Sequence, residues 1–365
     1  MLKRITDMVF IIAEAGVNHN GDRQLAFQLV DAAVEAGVDA VKFQTFKAEK
    51  LVTMSAGKAA YQLQNSDVDD TQFAMLKQLE LPNDIHFELV DYCNKNGIDF
   101  LSTAFDIDSL NFLVDDLGLE TLKIPSGEIT NGPLLLANAQ TRNELIISTG
   151  MSTLDEVEEA LNVIAFGLVH GATHSIQPSR AEFLQAYNSS EGQQLLREKV
   201  TLLHCTTEYP AQPSDINLRA MQTLRSAFGL KVGYSDHSEG ITIPVAATAL
   251  GASLIEKHFT VDKSLPGPDH KASLDPDELR EMVASIRSVE KSMGNGLKKP
   301  MPSELGNRDV ARKSLVAAVD IRKGDRFTVE NLQIKRPGTG RSPMEYWELL
   351  ESKALQDYAE DEVIT

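Results

Sequence analysis

Short runs of apolar, β-prone residues alternate with longer amphipathic segments from the start of the chain to near residue 290. This alternation is typical of repeated β-α units around a parallel sheet. Eight runs are predicted to be strands, the number that closes a TIM barrel. They are Val9–Ala13, Ala40–Phe43, Asp99–Leu101, Thr121–Ile124, Glu144–Ile147, Val200–Leu203, Lys231–Tyr234 and Ser253–Ile255. Amphipathic segments such as Leu25–Gly37 fit between them as helices, so we expect an α/β fold with a TIM (β/α)8 barrel.

Polar side chains stand at the carboxyl end of each predicted strand. They are Glu14, Lys42, Gln44, Ser102, Thr103, Lys123, Ser126, Glu128, Ser148, His204, Ser235, His237, Glu256 and His258. Any one of them could cap a strand or satisfy a hydrogen bond in the core. In a TIM barrel, however, these ends converge on the catalytic face, so the series as a whole predicts an active site.

Two longer segments interrupt the alternation. Residues 45–83 follow a strand and precede a helix, so they should lie on the catalytic face as a lid or substrate loop. Residues 167–199 follow a helix and precede a strand, which places them on the opposite face. We expect a structural or interface role there and infer no chemical function for this segment.

The composition of the chain changes after the last predicted barrel helix. Residues 294–309 are rich in Gly, Pro and polar side chains, which indicates a linker. The tail, residues 310–365, has short β-type runs and turn signals, consistent with a β-rich module of about 55 residues whose own core is marginal. We therefore expect a barrel domain over 1–293 and a tail that docks on a barrel.

Bulk composition limits the partners. The 365 residues are 42% hydrophobic and 24% charged, which is typical of a globular protein, and the formal net charge of -18 argues against nucleic acid and anionic membranes. The two cysteines, Cys93 and Cys205, form no disulfide framework. The N-terminal apolar run is short and is followed by Glu14, which disfavours a signal peptide, so a cytoplasmic location is expected.

Lys42 and Lys123 could bind an anionic substrate in spite of the negative net charge. Hydroxyl donors and small residues that admit backbone N–H groups accompany them at the strand ends. These are Ser126, Gly127, Ser148, Gly150 and Ser235. The alternative is that the two lysines pair with Glu14 or Glu128.

His237 and His258 end consecutive predicted strands and should be neighbours on the rim of the barrel. Two imidazoles can hold a divalent ion and leave positions open for water or substrate. Glu256 would face the same side as His258 as a further ligand or a hydrogen-bond partner, and Glu14 could complete the site through water. No local ligand spacing supports the pair, so unrelated strand-end histidines stay an alternative. His204 could line the same pocket, although a lone histidine is more often a packing residue.

Eight blocks of the chain resemble, in order, the signature blocks of the sialic acid synthase family, which includes N-acetylneuraminate synthases and their legionaminate-forming relatives. The blocks are EAGVNHNGD (14–22), VKFQTFKAEKL (41–51), KIPSGEITN (123–131), ISTGM (147–151), LHCTTEYP (203–210), GYSDHS (233–238), IEKHFTVDKSLPGPDHKAS (255–273) and KRPGTG (335–340). The resemblance covers nearly the whole chain. It includes the tail, which resembles the antifreeze-like (SAF) domain of these enzymes.

The resemblance implies a reaction and a cofactor. Phosphoenolpyruvate would condense with an N-acylated mannosamine-type sugar and water to give a nonulosonic acid and phosphate, by C–O cleavage. The acceptor would be N-acetylmannosamine or 2,4-diacetamido-2,4,6-trideoxymannose, leading to N-acetylneuraminate or legionaminate. The implied cofactor is a divalent metal, Mn²⁺ first, with Mg²⁺ or Co²⁺ as alternatives.

The resemblance also implies roles for individual residues. His237 and His258 would hold the metal. Phosphoenolpyruvate would contact Lys42, Lys123, Ser126, Ser148 and Ser235. The sugar would contact Gln44, Tyr209, Asp269 and, from the partner subunit of a homodimer with swapped C-terminal domains, Arg336. The catalytic residues would be Glu14, Lys42 and Glu128, with the roles of the two carboxylates left open. Thr207 departs from the family pattern, in which some members have Asn at a phosphate contact.

Two other functions are compatible with parts of the chain. A Schiff-base aldolase could use Lys123 at its strand end to bind pyruvate covalently. A non-catalytic binding protein is suggested by the antifreeze-like tail. The series of polar strand ends disfavours the second alternative.

Overall fold

Eight parallel strands close into a barrel in chain order, and the predicted TIM barrel is confirmed. The computed structural model describes residues 8–58, 71–172 and 176–365. The chain forms two compact units, Met1–Gly294 and Asn295–Thr365. The strands of the first unit are β1 (Phe10–Gly16), β2 (Ala40–Thr45), β3 (Asp99–Ala104), β4 (Thr121–Ile124), β5 (Glu144–Ser148), β6 (Val200–Cys205), β7 (Lys231–Asp236) and β8 (Leu254–His258).

Most strands extend one to three residues beyond the predicted carboxyl ends. Most of the polar residues that we expected to follow the strands therefore belong to the strands themselves, whereas Ser126, Glu128 and His237 lie just beyond them. Glu14, for example, is paired in register with Lys42 on β2 and with His258 on β8. Their side chains are directed by the regular alternation of the strands, which gives the site a rigid base.

Most helices of the first unit cover the outside of the barrel, and two short ones in the described part of the 45–83 insertion lie at the carboxyl ends of the strands. In chain order the helices are α1 (Arg23–Ala36), α2 (Ala48–Leu51), α3 (Gln72–Gln78), α4 (Asn83–Asn96), α5 (Ile107–Asn111), α6 (Gly132–Gln140), α7 (Leu154–His170), α8 (Arg180–Asn188), α9 (Ser190–Lys199), α10 (Pro213–Ile216), α11 (Ala220–Phe228), α12 (Thr242–Ala249) and α13 (Pro276–Met293). Helix α1 begins after Asp22, whose side chain accepts a hydrogen bond from Leu25 N, and ends at Gly37, which has a φ of 76° as a left-handed cap requires. None of the helices in the described ranges is both long and apolar enough to cross a membrane.

The barrel interior is built in layers that follow the period of two along each strand. An apolar layer fills the lower part of the barrel and consists of Ile12, Ala40, Leu101, Ile146, Leu203 and Leu254. Two residues further along the same strands lie Glu14, Lys42, Thr103, Ser148, Cys205 and Glu256, all of them buried. A polar layer therefore sits directly on the apolar one, at the carboxyl ends of the strands.

The described parts of the two insertions lie where the topology predicted them, and residues 59–70 and 173–175 are outside the described residues. The first insertion includes α2 and α3, and Met75 of α3 and the following Leu79 pack with Val17 and Phe46 near the carboxyl ends of the strands. The second insertion, 167–199, contains the end of α7, then α8 and α9, and leads directly into the start of β6. Helix α8 packs on α7 through the rings of Phe166 and Phe183, whose centroids are 5.2 Å apart.

The second unit has a small antiparallel sheet of β9 (Ser314–Ala317) and β10 (Leu332–Lys335), followed by helix α15 (Tyr346–Leu349). Its core includes Leu315, Ala317, Ile321, Phe327, Leu332, Leu349, Ala354, Tyr358 and Ile364. The expected linker 294–309 is partly helical, because helix α14 (Pro302–Ala311) occupies its second half. Pro302 at the first helical position and Glu304, which accepts a hydrogen bond from Met301 N, start this helix. Sequence patterning missed it because the helix is exposed along its length and has no apolar stripe.

Candidate active site

A cavity of about 390 Å³ opens at the carboxyl ends of the barrel strands. The residues of the first unit to which the family resemblance assigned roles all lie in its lining. They are Glu14, Lys42, Gln44, Lys123, Ser126, Glu128, Ser148, Tyr209, Ser235, His237, His258 and Asp269. Arg336 belongs to the second unit, where its side chain is exposed and its Nε donates to the carbonyl of Ala311 at 3.1 Å.

Two lysines and two carboxylates alternate on the floor of this cavity. The Glu14 carboxylate lies 2.6 Å from Lys42 Nζ, and Glu256 lies 3.7 Å from Lys42 Nζ and 3.7 Å from Lys123 Nζ. All four side chains are almost completely buried. Attraction between opposite charges is strong where water is excluded, so these groups control one another's protonation.

The pKa values of Glu14 and Glu256 are shifted in opposite directions. Burial raises the pKa of Glu14, Lys42 lowers it and Glu256 raises it again, which leaves that pKa at about 7. Burial also acts to raise the pKa of Glu256, but Lys123, Lys42 and the hydrogen bond from Ser235 Oγ at 2.8 Å bring it down to about 2. The lysines thus favour the ionised form of Glu256, whereas burial favours the protonated form of Glu14.

The two lysines differ in their surroundings. Burial acts to lower the pKa of Lys42, but the carboxylates of Glu14 and Glu256 outweigh it and the pKa is raised. For Lys123, burial prevails over the attraction of Glu256 and the pKa is lowered. Lys42 donates to Thr103 Oγ1 at 3.0 Å, and Lys123 donates to Ser148 Oγ at 2.6 Å.

A cluster of small polar groups lies beside Lys123. Gly150 N donates to Ser126 Oγ at 3.0 Å, and Cys205 Sγ lies 3.1 Å from the same oxygen. A Cβ on Gly150 would come within 2.3 Å of Thr207 Oγ1, so only glycine fits this close approach. Thr207 Oγ1 is buried and has no hydrogen-bond partner among the described residues. The hydroxyl that replaces the family's Asn is therefore available to a ligand.

The two histidines lie side by side, with ring centroids 5.5 Å apart. His237 Nδ1 lies 2.6 Å from the Thr206 carbonyl, which can only accept, so Nδ1 carries the proton and Nε2 presents its lone pair beside Tyr209 OH at 3.1 Å. His258 Nδ1 is buried and finds no hydrogen-bond partner in the described parts of the chain. Burial lowers the pKa of both histidines, that of His258 well below its ordinary value, so both are neutral and able to bind a metal.

These two histidines form a sparse ligand set. Within residues 8–58, 71–172 and 176–365, no group of three or more His, Cys, Asp or Glu side chains is arranged to hold a metal ion. A pair of imidazoles with open positions is the arrangement that the sequence predicted for an ion shared with water and substrate.

For three residues, the surroundings in the structure differ from those that the sequence led us to expect. Glu256, considered only as a ligand or hydrogen-bond partner, joins both lysines at the centre of the site. Glu128 is half-buried at the rim and accepts a hydrogen bond from Asn131 at 2.7 Å. His204 is not part of the cavity lining, because its Nε2 bonds to the carbonyl of Ile216 at 2.7 Å.

One wall of the cavity is apolar and comes from the 45–83 insertion. It is formed by Leu51, Val52, Met75, Leu76 and Leu79. Across the cavity lie polar groups, including Asp269, which is buried and whose pKa is raised by burial to about 6. The cavity thus combines a charged floor with an apolar side, as expected for a small substrate that has both kinds of surface.

Known proteins share this combination of barrel, site and tail. The NeuB family model matches residues 29–298, and the SAF domain model matches residues 312–365. The N,N'-diacetyllegionaminic acid synthase of Campylobacter jejuni is 49% identical over 97% of this chain and 98% of its own length. The enzyme of the same name from Legionella pneumophila is 48% identical over 94% of this chain and 90% of its own.

A solved crystal structure of a sialic acid synthetase is also similar to this chain. The N-acetylneuraminic acid synthetase of Leptospira borgpetersenii, solved with citrate, is 34% identical and has a TM-score of 0.65 over 82% of this chain and 90% of its own. The fold and the site define a TIM-barrel enzyme of the sialic acid synthase type, as predicted. The chain belongs to the NeuB family and carries a C-terminal SAF domain.

Proposed function

We propose that this enzyme condenses phosphoenolpyruvate with 2,4-diacetamido-2,4,6-trideoxymannose to give N,N'-diacetyllegionaminate and phosphate, in the cytoplasm. The observation that carries the proposal is the pair of buried lysines, Lys42 and Lys123, held by Glu256 on the floor of a cavity that also contains two neutral histidines. Two relatives that match more than nine-tenths of the chain are named as N,N'-diacetyllegionaminic acid synthases, which supports this acceptor.

The apolar wall also supports the trideoxy sugar over N-acetylmannosamine. The trideoxy acceptor carries a methyl group at C6 and an acetamido group at C4, where N-acetylmannosamine carries hydroxyl groups. Leu51, Val52 and Leu76 offer apolar surface to such groups. A hydroxyl placed there would lose water without a hydrogen bond in return.

The charged floor is suited to the phosphate and carboxylate of phosphoenolpyruvate. Lys42 and Lys123 supply the positive charge, and Ser148 is already within hydrogen-bond distance of Lys123. Ser126, Ser235 and Thr207 add hydroxyl groups around the same part of the cavity. Glu256 keeps the two lysines together before the anion arrives, so little rearrangement is needed on binding.

His237 and His258 would hold the divalent ion, with Mn²⁺ as the preferred metal and Mg²⁺ or Co²⁺ as alternatives. His258 Nδ1, buried and without a hydrogen-bond partner among the described residues, and the fixed tautomer of His237 fit this role. When bound, such an ion supplies Lewis acidity to the aldehyde oxygen of the acceptor.

Bond formation between C3 of phosphoenolpyruvate and C1 of the open-chain sugar leaves positive character at C2. Water adds at C2, one of its protons goes to the former aldehyde oxygen to make the new hydroxyl, and the bond between C2 and the phosphate oxygen breaks while the second proton leaves with phosphate, which gives the ketone. Glu14, with a pKa of about 7, is suited to move the proton of this water, whereas Glu256 stays ionised and stabilises the nearby positive charge. Lys42 contacts Glu14 and so couples anion binding to this proton transfer. Glu128, which is half-buried at the rim, would orient the incoming water.

We also propose that the enzyme is a homodimer in which the tail of one subunit closes the active site of the other through Arg336. The exposed guanidinium of Arg336 offers a rigid fork of donors, which suits the N-acyl carbonyl of the sugar. Exchange of identical modules is a low-cost route to a two-fold dimer. Gln44, Tyr209 and Asp269 would contact the sugar from the barrel side.

Phosphate release tests the reaction and its acceptor. The enzyme is given phosphoenolpyruvate, Mn²⁺ and each sugar in turn, with the Lys123→Met variant as the inactive control. Release should require all three components, and kcat/KM should favour the trideoxy sugar by about tenfold or more. Preference for N-acetylmannosamine would overturn the acceptor assignment. Turnover of pyruvate, with Lys123 trapped by borohydride, would instead support the Schiff-base aldolase.

A further inference from the structure

A buried ion pair lies directly behind the two histidines of the site. Asp236 on β7 and Lys257 on β8 are paired in register, and Lys257 Nζ lies 2.6 Å from Asp236 Oδ2. Both side chains are completely buried, and neither lines the cavity. Each residue immediately precedes a histidine, Asp236 before His237 and Lys257 before His258.

The pair also fixes the chain on the other side of His237. Asp236 Oδ1 accepts hydrogen bonds from Ser238 N at 3.1 Å, Ser238 Oγ at 2.8 Å and Tyr234 OH at 3.0 Å. Lys257 Nζ donates to the carbonyl of Ser238 as well as to Asp236. The residues before and after His237 are therefore both tied to the residue before His258.

The strand ladder does not itself hold the two histidines together. The register between β7 and β8 ends at Asp236 and Lys257, one residue short of the histidines. Beyond that point His237 bonds towards the β6 side, through Thr206 and Ala211, whereas the carbonyl of His258 accepts from Leu274 N. Among the described residues, the hydrogen bonds of Lys257 to Asp236 and to the carbonyl of Ser238 connect the two segments at this level.

Stability alone gives a poor account of this arrangement. Burying two charges costs desolvation energy, and apolar side chains of similar volume often serve the fold equally well. We propose that Asp236 and Lys257 are positioning residues that set the separation of His237 and His258 for a shared divalent ion. This inference rests on the metal site of the proposed function.

The test measures Mn²⁺ affinity in the metal-free, full-length protein, using the electron paramagnetic resonance signal of unbound Mn²⁺. The double variant Asp236→Asn/Lys257→Met removes both charges together and leaves no lone buried ion. Its Kd for Mn²⁺ should rise by about tenfold or more, the lower end of the range found when groups outside the ligand set itself are removed. Lys257→Arg keeps the cation and should retain more of the affinity than the double variant.

The control is Asp39→Asn/Arg287→Met, which removes a second, less buried ion pair of the barrel. This pair is also joined at 2.7 Å, but it lies at the amino ends of the strands, where Asp39 accepts from Ile11 N. The control should lower stability and leave the Kd for Mn²⁺ unchanged. Equal loss of affinity in the two double variants would show a general structural effect and would overturn the proposal.

The remaining outcomes separate the two proposals. Wild-type affinity in a folded Asp236→Asn/Lys257→Met protein, combined with loss of affinity in His237→Ala, would overturn the positioning role alone. Equal affinity for Mn²⁺ in wild type and His237→Ala would contradict the proposed metal site, and the positioning role would then have no basis. If the double variant does not fold, Asp236→Asn alone removes the negative charge that holds Lys257, and unchanged affinity in that folded variant would also contradict the proposal.

Discussion

The carboxylate of Glu14 lies 2.6 Å from the ammonium nitrogen of Lys42, and both side chains are only 3% exposed. Glu256 lies 3.7 Å from the same nitrogen. Because two buried carboxylates share the lysines, one of them, Glu256, is ionised throughout and the other, Glu14, titrates near neutral pH. The floor of the site therefore changes its charge by one unit in the range where the enzyme is expected to work.

The first prediction concerns the pH dependence of stability. The pKa of Glu14 rises on folding from 4.5 to about 7, so between these values the folded state keeps a proton that the unfolded state has lost. This contribution to stability is present below about pH 4.5 and is lost as the pH rises to about 7, by roughly 3 kcal/mol. Urea unfolding of wild type and of Glu14→Gln at several pH values gives the two free energies of unfolding, and the difference between them measures this contribution. A difference that does not fall with rising pH would contradict it.

The second prediction concerns the anion subsite. Lys123→Met removes one of the two cations and leaves Glu256 with Lys42 alone, so kcat/KM for phosphoenolpyruvate should fall by about two orders of magnitude or more. Initial rates and calorimetric binding measure the effect. Lys231→Met is the matched control, because Lys231 is exposed at the amino end of β7, and it should behave as wild type. Normal binding by Lys123→Met would exclude this lysine from the subsite.

The third prediction concerns the metal. His237→Ala or His258→Ala should lower both metal content and rate, whereas His204→Ala should keep the metal because His204 is bonded to Ile216 away from the cavity. Elemental analysis of the purified proteins after equilibration with Mn²⁺ checks this. Loss of metal from His204→Ala alone would mean that the wrong pair has been chosen. Exhaustive chelation should abolish turnover, and Mn²⁺ should restore it.

The fourth prediction concerns the acceptor. Leu76→Asn places an amide in the apolar wall, so kcat/KM for the trideoxy sugar should fall by about tenfold, with a smaller loss for N-acetylmannosamine. Leu250→Asn, at a position that is 51% exposed, is the control and should change neither value. Equal losses for both sugars in Leu76→Asn would show that this wall does not select the acceptor.

The sequence predicts the barrel and most of the cavity because both follow the period of two along the strands. Once Leu254 is placed in the apolar layer, Glu256 and His258 must face the same interior at successive levels. The bond of Glu256 to two lysines from β2 and β4 was missed, because distances across a barrel depend on its closure and not on local spacing. Lys257 and Asp236 were missed for a related reason. They face away from the cavity and pair only through the register of β7 and β8.

The last prediction concerns the assembly. If the tail of one subunit closes the barrel of the other, an Arg336→Ala subunit keeps a good barrel, and a Lys123→Met subunit keeps a good tail. Mixing the two inactive proteins and allowing subunits to exchange should create heterodimers with one intact site each, because the good tail then covers the good barrel. With equal amounts and random exchange, about one quarter of all sites should be active. If each tail served its own barrel, every site in the mixture would still carry one defect. Mixtures that are no more active than the separate variants, after subunit exchange has been verified by mass spectrometry, would show that Arg336 does not act on the partner's site.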